Sequence, residues 1–142
     1  MRPLRVSVVA LICFLALLNS GLAEASADDT VKSASQFAIG GVGVAGVITP
    51  EELALRAIRD GPNPEEQLRK LLRDGTAAGQ MYALFGLRQI KVKDYAELAQ
   101  PYRQSSTPIR MISGCIIHTD PMSEVVRWID QWAEKIRAWE RK

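Results

Sequence analysis

The stretch FAIGGVGVAGVITPEEL, residues 37–53, decides the fold. Gly41, Gly43 and Gly46 spell G-x-G-x-x-G, the spacing of a dinucleotide-binding turn. Such a turn runs straight into its helix, so that the helix amides face the pyrophosphate. Here Val47 and Ile48 intervene, and the helix start is set by its own punctuation. Thr49 caps, Pro50 suits the first helical position, and Glu52 completes a capping box. A second amphipathic helix follows where a nucleotide fold needs a strand ending in an acidic residue. Gly41, Gly43 and Gly46 are therefore read as structural, and no cofactor is expected. Phe37, Ile39, Val42, Val44, Val47 and Ile48 carry strand propensity. Glycines among them mark a bend, a bulge or the close approach of another backbone.

Downstream, TPEELALRAIRDG (49–61) aligns without a gap on NPEEQLRKLLRDG (63–75). Both begin Pro-Glu-Glu and end Arg-Asp-Gly, which predicts two short helices in an αα-hairpin. Gly61 suits a left-handed helix end. Leu68, Leu71 and Leu72 supply the buried stripe of the second copy. In TAAGQMYALFGLRQI (76–90) apolar residues cover most faces, as in a helix buried all round. Gly79, Ala83 and Gly86 would let neighbours approach closely. A short helix is expected over 94–103, with Asp94 as its cap and Pro101 distorting its end. Asp120-Pro121 opens a last helix whose stripe is Val125, Trp128, Ile129, Trp132, Ile136 and Trp139.

IRMISGCIIHTD, 109–120, is isoleucine-rich and reads as a buried strand, with a helix begun by Thr107-Pro108 as the alternative. Its small Ser113-Gly114-Cys115 makes it the natural partner of the glycine-rich stretch. The fold class is thus mainly α, in the α+β sense: short helices in a hairpin, HEAT-like arrangement with a small two-stranded β element joining 37–48 and 109–118. An all-α fold is the alternative.

The N-terminus has a basic start (Arg2, Arg5), an apolar run from Val6 to Leu18, and small residues beyond. This is the pattern of a signal peptide, residues 1–23, with cleavage after Ala23 or, in ASA, after Ala27. The run is short of the roughly 20 residues of a spanning helix. Bulky Ile12 before Cys13 argues against lipidation. Residues 24–36 are polar and read as a disordered leader, and 37–142 as a single domain. Removing Arg2 and Arg5 takes the 18 basic residues to 16, level with the 16 acidic ones. That balance speaks against nucleic acid, and the expected partner is a protein.

Cys115 and His118 are the one thiol of the mature chain and the one imidazole. They are the candidates for a thiol enzyme or hydrolase. With no further Cys or His, neither a disulfide nor a zinc site is expected. On a strand, residues three apart point to opposite faces. A non-enzymatic binding or accessory role is therefore the primary reading. An immunity-like partner of a secreted toxin is a third.

Three segments carry a resemblance: Phe37-Ala38-x-Gly-Gly-Val-Gly-x-Ala-Gly, DGTAAGQMYALFGL (74–87) and MISGCII (111–117). From about Phe37 to the last helix, the chain resembles a family of small exported bacterial proteins. Some of these are similar to accessory proteins encoded in microcin gene clusters. The resemblance implies a periplasmic or secreted location and brings no established activity.

Overall fold

A computed structural model describes residues 26–142. The expected signal peptide, with Cys13, lies outside the described residues. The elements run α1 (Ala27–Lys32), β1 (Phe37–Val42), α2 (Pro50–Arg59), α3 (Pro64–Asp74), α4 (Ala77–Gln89) and α5 (Tyr95–Ala99). A 3-10 turn (Tyr102–Gln104), β2 (Pro108–Gly114), β3 (Ile116–Pro121) and α6 (Met122–Glu140) complete them. The fold is mainly α with a small sheet.

The glycine-rich stretch and the isoleucine-rich stretch do pair. β1 lies parallel to β2, with Phe37 opposite Met111 and Ala38 opposite Ile112. The β element has three strands rather than two, in the order β1-β2-β3. The isoleucine-rich segment is a hairpin, not one strand: Ser113 faces Ile116 across the two-residue turn Gly114-Cys115. Gly114, at φ +57, takes the first central position, where a type II′ turn demands glycine.

α4 is the central helix. Leu84, Phe85, Leu87, Met81 and Tyr82 are all buried, as the pattern of 76–90 predicts. Its two glycines are places of contact. A Cβ on Gly79 would lie 2.6 Å from the Val31 carbonyl oxygen, and one on Gly86 would lie 2.8 Å from a Leu68 methyl. Phe37 brings the sheet onto this helix, with its ring 4.8 Å from that of Tyr82 and 5.8 Å from that of Trp128 on α6.

The expected disordered leader is corrected over 26–36. Ser26 caps α1 by accepting from the Asp29 amide. Val31 and Ala34 enter the core. The Thr76 amide donates to the Lys32 carbonyl (2.9 Å), and the Thr76 hydroxyl donates to that of Ala34 (2.6 Å). Two buried apolar side chains and two hydrogen bonds outweigh the polar composition. Helix ends also differ from expectation. Gly61 is not left-handed, and α2 closes at Asp60 with φ −94. Asp94 makes no cap; its carboxylate accepts from Arg69 (2.6 Å). The left-handed helix end falls instead on Lys91 (φ 59), after α4.

A buried polar cluster pins the last turn of α6 to α2. Arg59 donates to Gln89 (2.6 Å) and to Glu140 (2.7 Å), while Arg137 reaches Asp60 (2.6 Å). The hydrogen bond from Arg59 holds the Asp60 carboxyl below its usual range, with Arg137 adding to it.

Candidate functional site

The sheet has two edges, built differently. In a strand the backbone groups of alternate residues point to opposite sides. On β1, Ala38 and Gly40 point away from β2. The Tyr82 hydroxyl accepts from the Ala38 amide (2.9 Å) and donates to the Ala38 carbonyl (3.1 Å). Glu52 Oε2 accepts from the Gly40 amide (2.9 Å), and its Oε1 takes Arg56 (2.6 Å). The Glu52 side chain thus closes a strand edge and does not complete the expected capping box. Thr49 caps α2 alone, accepting from the Glu52 amide. Burial of Tyr82 pushes its phenol up to about 12.

β3 forms the other edge. Its closing pair, Ser113 with Ile116, sits next to a two-residue turn, so hydrogen-bonded and non-hydrogen-bonded pairs alternate from there. Ile112–Ile117 and Arg110–Thr119 are then non-hydrogen-bonded pairs. The amides and carbonyls of Ile117 and Thr119 therefore point outward, away from β2. Among the described residues, no turn, loop or side-chain hydrogen bond reaches them. At its turn end this edge exposes two isoleucines, Ile117 at 58% and Ile116 at 67%, ahead of the polar His118, Thr119 and Asp120.

The glycine motif lies beside this hairpin. Val42 and Val47 exchange both backbone hydrogen bonds (2.8 and 2.9 Å), closing a turn over 43–46. The Gly43 amide donates to the Gly114 carbonyl (2.9 Å), so the two turns are neighbours. Gly41, Gly43 and Gly46 have φ of +92, +71 and +60. The turn needs them for backbone conformation, which L side chains rarely adopt. Close approach holds only for Gly41, where a Cβ would lie 2.7 Å from the Gly46 oxygen; a Cβ on Gly43 would meet nothing within 4 Å. The turn exposes Val44 completely. Three residues then separate Gly46 from α2, so the helix start does not follow the motif directly.

Cys115 is exposed in the β2–β3 turn as a free thiol. His118 lies on the strand face that looks toward α6. Neither ring nitrogen meets the thiol: Nε2 is 3.1 Å from Asp120, and Nδ1 is buried with no hydrogen-bond partner among the described residues. The structure thus pairs His118 with Asp120 rather than with Cys115. HTD on a strand carried that signal, because residues two apart share a face. His118 and Asp120 line a cavity of about 90 Å³ with Glu124, Val125 and Trp128 of α6 and Phe37 of β1. Among the described residues, no three of His, Cys, Asp and Glu are grouped as a metal ion requires.

A wider hollow of about 630 Å³ lies between the end of α4 and the last turns of α6. Its wall carries Lys91, Lys135, Arg137 and Arg141 with the one carboxylate of Glu134, which pairs with Lys91 (3.3 Å) and with Arg88 beside the hollow (3.0 Å). Among the described residues, no helix is long and apolar enough to cross a membrane. No family model, curated protein or solved structure matches the chain.

Proposed function

We propose that this protein is an exported, non-enzymatic binding module that captures an extended polypeptide segment on the free edge of β3. One observation carries the reading: among the described residues nothing pairs with the outward backbone groups of Ile117 and Thr119, which lie beside exposed isoleucines, while the opposite edge is closed by Tyr82 and Glu52. An open edge of this kind is a template for another strand. In such complexes main-chain hydrogen bonds supply affinity and alternate side chains supply specificity. The basic start and apolar run of residues 2–18 support export. So does the resemblance to a family of small exported bacterial proteins.

Thr119→Pro is the test. Its amide points outward, so proline removes a donor from the edge and leaves the pairing with β2 in place. A partner isolated from envelope extract should bind the wild type, fail on Thr119→Pro, and slow amide exchange at Ile117 and Thr119. Equal retention by both proteins, or unchanged exchange at the two amides, would overturn the reading.

A further inference from the structure

We infer that the hollow between the end of α4 and the last turns of α6 binds a phosphate group, carried by a small soluble ester or by a lipid headgroup. It is independent of the β3 edge and does not rest on the edge-strand reading. Lys91 lines it from the end of α4, and Lys135, Arg137 and Arg141 from α6, against the one carboxylate of Glu134. Outside Arg2 and Arg5 the chain has equal numbers of basic and acidic residues, so the excess on this wall is local. Helix C-termini attract cations, which accounts for the basic residues of either end taken alone. Here two helix ends bring theirs to one hollow, and carboxylates do not follow.

Pairing inside the protein does not remove the excess. Glu134 holds Lys91 (3.3 Å), and Arg137 is held by Asp60 (2.6 Å) with Glu140 further off (3.6 Å). Among the described residues no carboxylate pairs with Lys135 or Arg141. The ammonium of Lys135 lies over the Trp132 ring instead, 4.7 Å from its centre. The inference therefore leans on Lys135, Arg141 and Lys91.

The donor set matches phosphate. A guanidinium presents a fork of N–H groups that fits two oxygens of a phosphate, and ammonium groups add point charges around it. A phosphate monoester carries about two negative charges at neutral pH, which the uncompensated cations of this wall can meet. The hollow of about 630 Å³ has the size of a small-molecule site and leaves room for the carrier of the group. Lys91 adds a separate sign. Among the described residues it is the one non-glycine with positive φ, at 59. Glycine or asparagine fills that conformation more readily, so the position keeps a lysine side chain against its backbone preference.

Titration at constant ionic strength, with sodium chloride as the reference salt, tests the site. Inorganic phosphate and glycerol 3-phosphate should each shift the Lys91 and Ala138 amides saturably and change the fluorescence of Trp132, with no such fluorescence change in Trp132→Phe. Arg141→Gln and Lys91→Gly should each weaken binding about threefold, as for a partly exposed charge pair. Lys91→Gly should melt no lower than the wild type, since glycine relieves the left-handed backbone. Glu134→Gln should tighten binding by a similar factor, because it removes the competing carboxylate. Vesicles of phosphatidylcholine with phosphatidylglycerol, against phosphatidylcholine alone, separate the two sources. A response to glycerol 3-phosphate without vesicle binding assigns a soluble ester. Vesicle binding that is lost in Arg141→Gln, without a response to the soluble phosphates, assigns a lipid headgroup. No saturable response to any of these probes overturns the site, as does weaker binding by Glu134→Gln. Vesicle binding as the sole response, kept in both Arg141→Gln and Lys91→Gly, also overturns it. Succinate binding as tightly as glycerol 3-phosphate overturns the assignment to phosphate.

Discussion

The two edges of one small sheet differ in who satisfies the backbone. On β1 the protein does: a buried tyrosine hydroxyl serves both groups of Ala38, and a buried carboxylate serves the amide of Gly40. On β3 nothing among the described residues serves Ile117 or Thr119. Natural proteins commonly blunt an edge with lysine, a bulge or a covering element. β1 has such a cover. β3 has only Pro121 at its far end. Stability is therefore concentrated at the first edge, and availability for recognition at the second.

Substitutions on the covered edge should be the costly ones. Glu52→Ala has the largest expected effect. Glu52 is 1% exposed, and its loss strands the Gly40 amide and removes the nearer of the two carboxylates that hold Arg56, leaving Glu140 at 3.2 Å. Breaking a buried charged interaction of this kind costs about 3 kcal/mol. Urea denaturation should show that loss, with Glu52→Gln intermediate because it keeps an acceptor for Gly40. A cost under about 1 kcal/mol for Glu52→Ala would mean that the β1 edge does not depend on its cover.

Tyr82→Phe comes next, at about 2 kcal/mol, since it leaves the Ala38 groups without their partner. It also carries a pH signature. Burial raises the Tyr82 phenol from 10.0 to about 12, so the folded state holds its proton where the unfolded state releases it. The contribution is complete below pH 10 and is lost as pH rises toward 12, at about 1.4 kcal/mol per pH unit. Burial raises Tyr102 and Tyr95 in the same direction. The share of Tyr82 is thus the difference between wild type and Tyr82→Phe. Parallel alkaline slopes for the two proteins would remove it.

Gly43→Val should cost about 1–2 kcal/mol, for a reason other than crowding. Open space surrounds the position, but φ is +71. Gly43→Asn should recover part of the loss, because Asn tolerates that conformation. Crowding would make Asn and Val equally harmful.

Much of the helical architecture was legible in the sequence, and most of the site was not. Thr49-Pro50 marked the start of α2, and the apolar cover of 76–90 marked the central helix, because both signals are local. Residues 26–36 were misread because their order depends on Thr76 and Gly79, which lie far along the chain. Glu52 matched a capping box in spelling, yet its carboxylate is taken by a strand that precedes it by twelve residues. Gly114 interrupts an apolar run, and that interruption was the sign of the hairpin. Openness at an edge is a property of topology. No local pattern in IIHTD states that β3 ends the sheet. The pairing of His118 with Asp120 was within reach once the segment was read as a strand.

Ile117→Lys should have the smallest effect on stability and the sharpest meaning for the comparison. Ile117 is 58% exposed, and its side chain lies on the face opposite His118. A lysine there keeps the β2–β3 hydrogen bonds and adds the kind of charge that natural edges use against unwanted pairing. Surface substitutions of this sort stay within about 0.5 kcal/mol. Thermal melting should therefore be unchanged, while capture of an extended segment on β3 falls at least fivefold. A large loss of stability would place Ile117 among the packed residues and make the two edges alike. Unchanged melting with unchanged capture would leave β3 open but unused, and would move recognition to the neighbouring turn at Val44.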